Sequence, residues 1–143
     1  MTKILIVDDD QVVLTSCKRI LEPEGYAVSL TSSVKEALQM LEVKKFDILL
    51  VDVIMPEYDG MYLIGNVKEN LPYMPILVMS GYPTPETISS GMQMGATHFI
   101  AKPFTPDELV TAVRKALLKE KEKTQPVEVE NRNGKDEENT GDR

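Results

Sequence analysis

DILLVDVIMP, residues 47–56, predicts a short, wholly apolar strand that ends on a single carboxylate, Asp52. A run this apolar is typical of a parallel strand that is buried on both faces of its sheet. KILIV, residues 3–7, is a second such run, and Asp8, Asp9 and Asp10 follow it. Open α/β sheets bind ligands at the carboxyl ends of their strands. The two runs therefore predict one acidic pocket, suited to a divalent cation and a phosphate.

The chain has 143 residues, 42% of them hydrophobic and 27% charged, which is enough for one domain with a core of its own. Its formal net charge of −7 argues against a nucleic-acid-binding surface. No apolar run approaches the roughly 18 residues of a membrane span, and the first strand follows Met1 too closely for a signal peptide. We therefore expect a cytoplasmic protein that binds neither nucleic acid nor membrane.

Some residues with reactive or soft side chains are better explained by packing. Cys17 is the one cysteine, which excludes an internal disulfide, and its helical spacing from Leu14 and Leu21 favours a buried apolar role over a catalytic thiol. His98 is the one histidine, and we expect a partly exposed strand residue with no role in metal binding or phosphotransfer. Four methionines are also predicted to pack in the core: Met40, Met79, Met92 and Met94.

Strand and helix patterns alternate five times along the chain. The predicted strands cover residues 4–7, 26–30, 47–51, 75–79 and 98–101. Asp10 is a candidate N-cap for the first helix, and Ser33 with Glu36 and Thr105 with Glu108 predict capping boxes at the second and fifth. Regular alternation of this kind predicts an α/β fold, a doubly wound parallel sheet with helices on both faces.

The composition changes near Leu118, and we place the end of the folded domain at residue 119. Residues 120–143 begin with alternating lysine and glutamate and then contain almost no large apolar side chains. Such a segment cannot bury enough surface to offset the entropy lost on ordering, so it is predicted to be a disordered tail. The alternatives are a linker to a part missing from this chain and a contact segment for a partner.

Four features follow predicted strands 1, 3, 4 and 5: Asp8-Asp9, Asp52 with Met55-Pro56 and Asp59-Gly60, Ser80-Gly81, and Lys102-Pro103-Phe104. In this order, and over about residues 3–118, they resemble the receiver domain of two-component response regulators. The resemblance implies a flavodoxin-like fold, a five-stranded parallel sheet of order 2-1-3-4-5 with five helices. In that order strands 1 and 3 are neighbours, so the acids that follow them should meet.

The resemblance implies a Mg²⁺ site and a phosphoryl acceptor among these acids. Asp9 and Asp52 would bind Mg²⁺ directly, Asp8 through water, and the backbone carbonyl of Ile54 would complete the protein ligands. Asp52 would then take the phosphoryl group from a phosphohistidine on a sensor histidine kinase. Carboxylates this close repel one another, which Mg²⁺ relieves.

The resemblance gives the remaining residues supporting roles. Lys102 would stabilise charge on the transferring group, and Ser80 would donate its hydroxyl to a phosphate oxygen. Pro103 follows a peptide bond that is cis in the family. Phe99 would move inward on phosphorylation, shifting the face formed by helix 4, strand 5 and helix 5 between two states.

Every one of these residues also has a simpler interpretation. Asp8 and Asp9 could be an N-cap and a solvated turn residue. Asp52 could be an acid at the start of a turn, and Ser80 could be an ordinary serine in a turn. Lys102 fits a surface lysine before a turn, and Phe99 a core aromatic. Only their joint occurrence after four strands favours the functional interpretation.

Other classes of function were weighed against the receiver. A haloacid-dehalogenase-like phosphatase needs a second acid two residues after the first, where this chain has Ile54. A receiver-like binding module that no longer accepts phosphate would not need the full set of polar residues. This chain has all five of them: Asp8, Asp9, Asp52, Ser80 and Lys102. We therefore expect a signalling domain rather than an enzyme. Its partners would be a sensor kinase, a downstream target or output domain in trans or missing from this chain, and, after phosphorylation, a second copy of itself.

Overall fold

The computed structural model describes residues 1–53, 60–81 and 84–124. The strands are β1 Lys3–Val7, β2 Ala27–Thr31, β3 Ile48–Asp52, β4 Ile76–Ser80 and β5 His98–Ala101. The helices are α1 Gln11–Leu21, α2 Val34–Val43, α3 Gly60–Asn70, α4 Pro85–Met94 and α5 Pro106–Thr124, with a 3₁₀ turn at Glu22–Glu24. Within this part of the chain no helix is long and apolar enough to cross a membrane.

All strand pairs are parallel, and the sheet order is β2-β1-β3-β4-β5. The predicted fold class and strand order are therefore confirmed. β5 has the predicted bounds, whereas β2, β3 and β4 each begin and end one residue later than predicted. The difference matters for function, because it places Asp52 and Ser80 on the last rungs of their strands rather than in the loops that follow.

The sheet is covered on both faces, as its apolar strands require. Alternate side chains of β1 and β3 point to opposite faces, so each strand contributes to two separate cores. One core joins the sheet to α1 and α5 and includes Ile4, Ile6, Ile48, Leu50, Leu77 and Leu109. The other joins it to α2 and α3 and includes Leu5, Val7, Leu49, Val51, Leu63 and Val67. Full burial of one such side chain stabilises the fold by roughly 1.5–3 kcal/mol.

The helix caps test the capping predictions. Thr105 and Glu108 form the reciprocal box, in which the Glu108 N–H donates to Thr105 Oγ1 (3.1 Å) and the Thr105 N–H to Glu108 Oε1 (2.8 Å). At α2 only half of the box is right, because Ser33 accepts from the Glu36 N–H (3.1 Å) but Glu36 does not return the bond. Its carboxylate instead accepts from the hydroxyl of buried Thr31.

Packing predictions for individual residues have mixed outcomes. Cys17 is fully buried, and burial raises the pKa of its thiol to about 12, which excludes a thiolate nucleophile at neutral pH. His98 is half-buried on β5, as expected, and its pKa is lowered by burial and by nearby lysines. Met79 is buried, but Met92 and Met94 are 40% and 41% exposed, so their assignment to the core was wrong. Gly91 is the buried residue of α4 instead, and a Cβ added there would lie 3.6 Å from Val78 of β4.

The helix α5 continues to Thr124, five residues past the predicted domain boundary. Residues 125–143 lie outside the described part of the chain. The boundary at residue 119 and the disorder of the tail therefore stay predictions.

Candidate functional site

Three carboxylates meet at the carboxyl edge of the sheet. β1 and β3 are hydrogen-bonded neighbours with Val7 opposite Val51, so Asp8 and Asp52 leave the sheet side by side. One oxygen from each of Asp8, Asp9 and Asp52 lies within 4.8 Å of the others. Asp8 is completely buried and Asp52 is 6% exposed, whereas Asp9 faces solvent. The structure thus brings together all three acids that the sequence selected.

Lys102 is the cation of this cluster. Its ammonium lies 2.6 Å from Asp8 Oδ2 and 2.8 Å from Asp52 Oδ2. The side chain reaches these acids from β5 across β4, and the Lys102 N–H donates to the Ser80 carbonyl (2.8 Å). The Lys102–Pro103 peptide is cis, as the resemblance implied. Lys102 is therefore a partner of the acids and not a surface lysine before a turn.

The pKa values in the cluster follow from burial and pairing. Burial raises the pKa of Asp8 above its ordinary value, although the hydrogen bonds from Lys102 and from the Asp10 N–H oppose the shift. Burial by itself lowers the pKa of Lys102, but hydrogen bonds to Asp52 and Asp8 outweigh it, so the net shift is upward. Lys102 is thus positively charged at neutral pH and compensates part of the buried negative charge.

The acids suit a hard divalent cation. Their oxygens are the ligand type that Mg²⁺ prefers, and three carboxylates with one ammonium leave the cluster net negative when all are ionised. Asp8 already holds Lys102 through Oδ2 and the Asp10 N–H through Oδ1 (2.9 Å). This favours the indirect, water-mediated role predicted for Asp8 over direct ligation. Ile54, whose carbonyl was predicted to complete the site, lies outside the described residues.

Ser80 and Phe99 lie on the neighbouring strands. Ser80 is the last residue of β4 and is fully buried. Asp52 pairs with Met79 in the sheet, which places Ser80 one rung beyond Asp52. Phe99 pairs with Val78 and is half-buried against the core beneath α2 and α3. The phosphate contact of Ser80 and the inward movement of Phe99 stay predictions.

Two further residues position the acids, and the sequence analysis did not single out either for this role. Thr31, at the end of β2, accepts the Asp8 N–H through its carbonyl (3.2 Å) and so extends the sheet by one bond. Gly60 donates its N–H to the Val53 carbonyl (3.0 Å) at the base of the loop after β3. A Cβ on Gly60 would lie 2.7 Å from Val53 Cα and still closer to the Asp52 carbonyl oxygen. From the sequence, the Asp59-Gly60 pair indicates a turn-rich loop and a family motif, but not this close approach of backbone atoms.

We expect Gly60→Ala to destabilise the protein by about 1–3 kcal/mol, the usual cost of an extra methyl group in a packed region. The methyl group would meet backbone atoms, which cannot rotate away as a side chain can. Urea unfolding of the variant measures the loss. Gly81→Ala is the matched control, because a Cβ there meets nothing within 4 Å. Equal stability of the two variants would show that the close approach at Gly60 is unimportant.

Comparison with known proteins identifies the family. The model of the response regulator receiver domain matches residues 4–114. The chain belongs to the response regulator receiver domain family. Response regulator SaeR of Staphylococcus aureus (strain USA300) is 34% identical over 129 residues, which are 90% of this chain and 56% of that protein. The chain therefore spans about half the length of the curated relatives it matches.

Solved structures of receiver domains agree with the fold. The CheY-like response regulator receiver domain protein of Methanospirillum hungatei JF-1 has a TM-score of 0.81 at 32% identity, covering 86% of this chain and 98% of that one. NtrX of Brucella abortus has a TM-score of 0.81 at 29% identity, but the match covers 29% of its chain and 86% of this one. The beryllofluoride-activated NtrC4 receiver domain dimer has a TM-score of 0.80 at 30% identity, covering 84% and 99%.

Proposed function

We propose that this receiver domain accepts a phosphoryl group on Asp52 from a sensor histidine kinase, with Mg²⁺ as cofactor. The observation that carries the proposal is the Lys102 ammonium held between two buried carboxylates, Asp8 and Asp52. A buried ion pair is costly to assemble and adds little stability compared with an apolar core. A buried cation beside a nucleophilic carboxylate at a strand end is suited to group transfer.

The donor set fits the cofactor. Asp9 and Asp52 would hold Mg²⁺ directly, with Asp8 behind a water molecule and the carbonyl of Ile54 as a further ligand. Bound there, Mg²⁺ supplies positive charge that neutralises the transferring phosphoryl oxygens. Asp9 is the exposed member of the cluster, so it gives the site access to solvent and to the hydrated ion.

The chain's own residues then have separate roles. A carboxylate oxygen of Asp52 attacks the phosphorus of the kinase phosphohistidine, the phosphorus–nitrogen bond breaks, and an aspartyl phosphate forms. Lys102 already contacts Asp52, so its ammonium needs to move only a short way to pair with a phosphoryl oxygen. Ser80, one rung away on β4, donates its hydroxyl to another of these oxygens. The domain would catalyse only its own phosphorylation and dephosphorylation.

The proposed output is a two-state shift of the surface formed by α4, β5 and α5. Ser80 and Phe99 lie on β4 and β5, between the acceptor and this surface, and so can link the two. A similar receiver, that of NtrC4, is a dimer in its beryllofluoride-activated form. We propose that a second copy, or a target or output domain, is bound in the same way after phosphorylation, and that the domain acts in the cytoplasm.

Acetyl phosphate tests this function without a kinase. We expect the protein to gain the mass of one phosphoryl group when it is mixed with acetyl phosphate and Mg²⁺, and to gain none with EDTA. Intact-mass spectrometry measures both. A protein that gains no mass in either mixture would be a receiver-like binding module that has lost phosphoacceptance.

The aspartyl phosphate is expected to be long-lived, with a lifetime of minutes or more. In the family, water reaches the phosphate past the residues two after the acceptor and two after the Ser80 position, which here are Ile54 and Tyr82. Both lie outside the described residues, so the expectation comes from the sequence. Neither side chain is a carboxylate or amide that orients water, and a missing water-positioning group costs about 10²-fold in rate.

The lifetime is measured by following phosphate loss after the donor is removed. Ile54→Asn combined with Tyr82→Glu should shorten the lifetime by about 10²-fold, because the new amide and carboxylate can orient the attacking water. Decay of the unmodified protein within seconds, or no change in the double variant, would show that these two side chains do not exclude water.

A further inference from the structure

A groove lies at the amino edge of the sheet, opposite the acidic cluster. It is a cavity of about 460 Å³ between the loops that precede β3 and β4, and we call it the amino-edge groove. Its walls are mostly apolar and include Leu41, Phe46, Leu71, Tyr73 and Pro75. A second cavity of about 350 Å³ between α2 and α3 is adjacent to it, and the two share Leu41, Asn70 and Leu71.

The charges around the amino-edge groove are mainly positive. Lys44 and Lys45 line it and are both exposed. Among the side chains that the structure describes, no carboxylate forms an ion pair with either lysine. Asp47 is the groove's acid, and its carboxylate accepts the Lys3 N–H (2.7 Å). An occupant that combines apolar and acidic side chains would match this surface.

The helix α5 ends at the same edge. Lys119 Nζ donates to the Thr97 carbonyl (3.3 Å) at the amino end of β5. Thr97 in turn bonds to Ile76 twice, through its N–H (2.8 Å) and its hydroxyl (3.1 Å). Pro75, the residue before Ile76, is part of the groove wall. Five more helical residues, at 1.5 Å each, carry the chain about 7.5 Å further to Thr124, where α5 ends.

The sequence after α5 has the chemistry that the groove requires. Residues 126–130 read PVEVE, an alternation of apolar and acidic side chains. In an extended backbone, Val127 and Val129 would face one side, and Glu128 and Glu130 the other. Val127, the first of the two valines, comes three residues after Thr124, which is about 10 Å in an extended chain, and Glu130 comes six residues after it, about 20 Å. The segment therefore starts at the same edge of the sheet as the groove and is short enough to stay close to that edge.

We infer that residues 126–130 bind in the amino-edge groove of their own chain. The two valines contact the apolar residues of the groove wall, and the two glutamates pair with Lys44 and Lys45. A segment of this composition gains order only through such contacts. The inference goes beyond the proposed phosphorylation, because it concerns a binding surface at the edge of the sheet opposite Asp52.

Disulfide formation in the full-length chain tests the binding. Tyr73→Cys with Val129→Cys places one thiol in the groove wall and one in the segment, while native Cys17 is buried. We expect mild oxidation to link the pair within one chain about ten times faster than the control, since a bound segment has a high effective concentration. The control is Tyr62→Cys with Val129→Cys, because Tyr62 is also exposed but lies in the first turn of α3. Mass spectrometry and non-reducing gels measure the rates.

Each outcome decides the inference. Equal rates in the two variants would overturn it, and so would links that form only between two chains, which would make a second copy the occupant. Adding Lys44→Glu and Lys45→Glu to the Tyr73 variant should slow the link several-fold at low salt. An unchanged rate there, in a protein with unchanged thermal unfolding, would overturn the pairing of the glutamates with these lysines.

Discussion

Asp52→Asn is expected to abolish phosphorylation and to leave the fold intact. Asparagine has the shape of aspartate but no carboxylate to attack phosphorus. The change removes one acid from a crowded cluster, which relieves repulsion, while Lys102 keeps its 2.6 Å contact with Asp8. We therefore expect the free energy of unfolding to change by no more than about 1 kcal/mol. Intact mass after treatment with acetyl phosphate and Mg²⁺ should show no phosphoryl group.

Asp10→Asn is the matched control for this variant. Asp10 belongs to the same acidic run but lies outside the three-carboxylate cluster, where its Oδ1 caps α1 by accepting the Val12 N–H (2.9 Å). Asparagine caps a helix equally well, so the control should be phosphorylated like the unmodified protein. A phosphoryl group on the Asp52 variant would mean that another residue is the acceptor.

The fold could be predicted because its cores depend on local pattern. β1 and β3 are apolar at almost every position, and such short runs are typical of parallel strands covered on both faces. The ends of the helical segments agree with this pattern, since Gly25 and Gly95 follow them and both adopt a positive φ. The acids after the strands then followed from topology, because parallel strands end at one edge.

The ends of β2, β3 and β4 lie one residue later than predicted, because backbone hydrogen bonding and not hydrophobicity determines where a strand ends. Thr31, Asp52 and Ser80 are polar, and the predicted strand bounds stop one residue before each of them. Their backbones nevertheless pair with Val7, Met79 and Ala101, respectively, on the neighbouring strands. A polar side chain at the end of a strand leaves the backbone bonds unchanged, and this is how the sheet carries functional groups to its edge.

The contacts missing from the prediction are those between residues far apart in sequence. From the sequence, Lys102 was expected to stabilise charge on a transferring phosphoryl group. Its pairing with Asp8, 94 residues away, could be recognised only from the folded structure. The close approach of Gly60 to the Asp52 carbonyl depends on backbone atoms, which leave no trace in side-chain patterns. Met92 and Met94 were predicted to pack in the core, whereas the buried residue of α4 is Gly91, where an added Cβ would lie 3.6 Å from Val78 of β4.

Lys102→Met is expected to separate the two roles of the lysine, as the counter-ion of the acids and as a group that stabilises phosphoryl transfer. Without Mg²⁺ the variant leaves Asp8 and Asp52 facing each other with no cation, and removing one partner of a buried ion pair costs roughly 3 kcal/mol. Mg²⁺ supplies the missing charge, so it should restore most of this stability. Phosphorylation should still slow by about 10²–10³-fold, the cost of losing one preorganised charge at the transferring group.

Urea unfolding with and without Mg²⁺, together with calorimetric titration of Mg²⁺, measures the two roles. In the proposed Mg²⁺-bound state the ion would compete with Lys102 for the charge of Asp52, so the variant should bind Mg²⁺ more tightly while it is phosphorylated more slowly. Lys18→Met is the matched control. Its exposed ion pair with Glu22 spans 3.9 Å and should contribute less than about 1 kcal/mol. If Lys102→Met costs no more stability than this control, or leaves Mg²⁺ affinity unchanged, then Lys102 does not act as the counter-ion that the metal replaces.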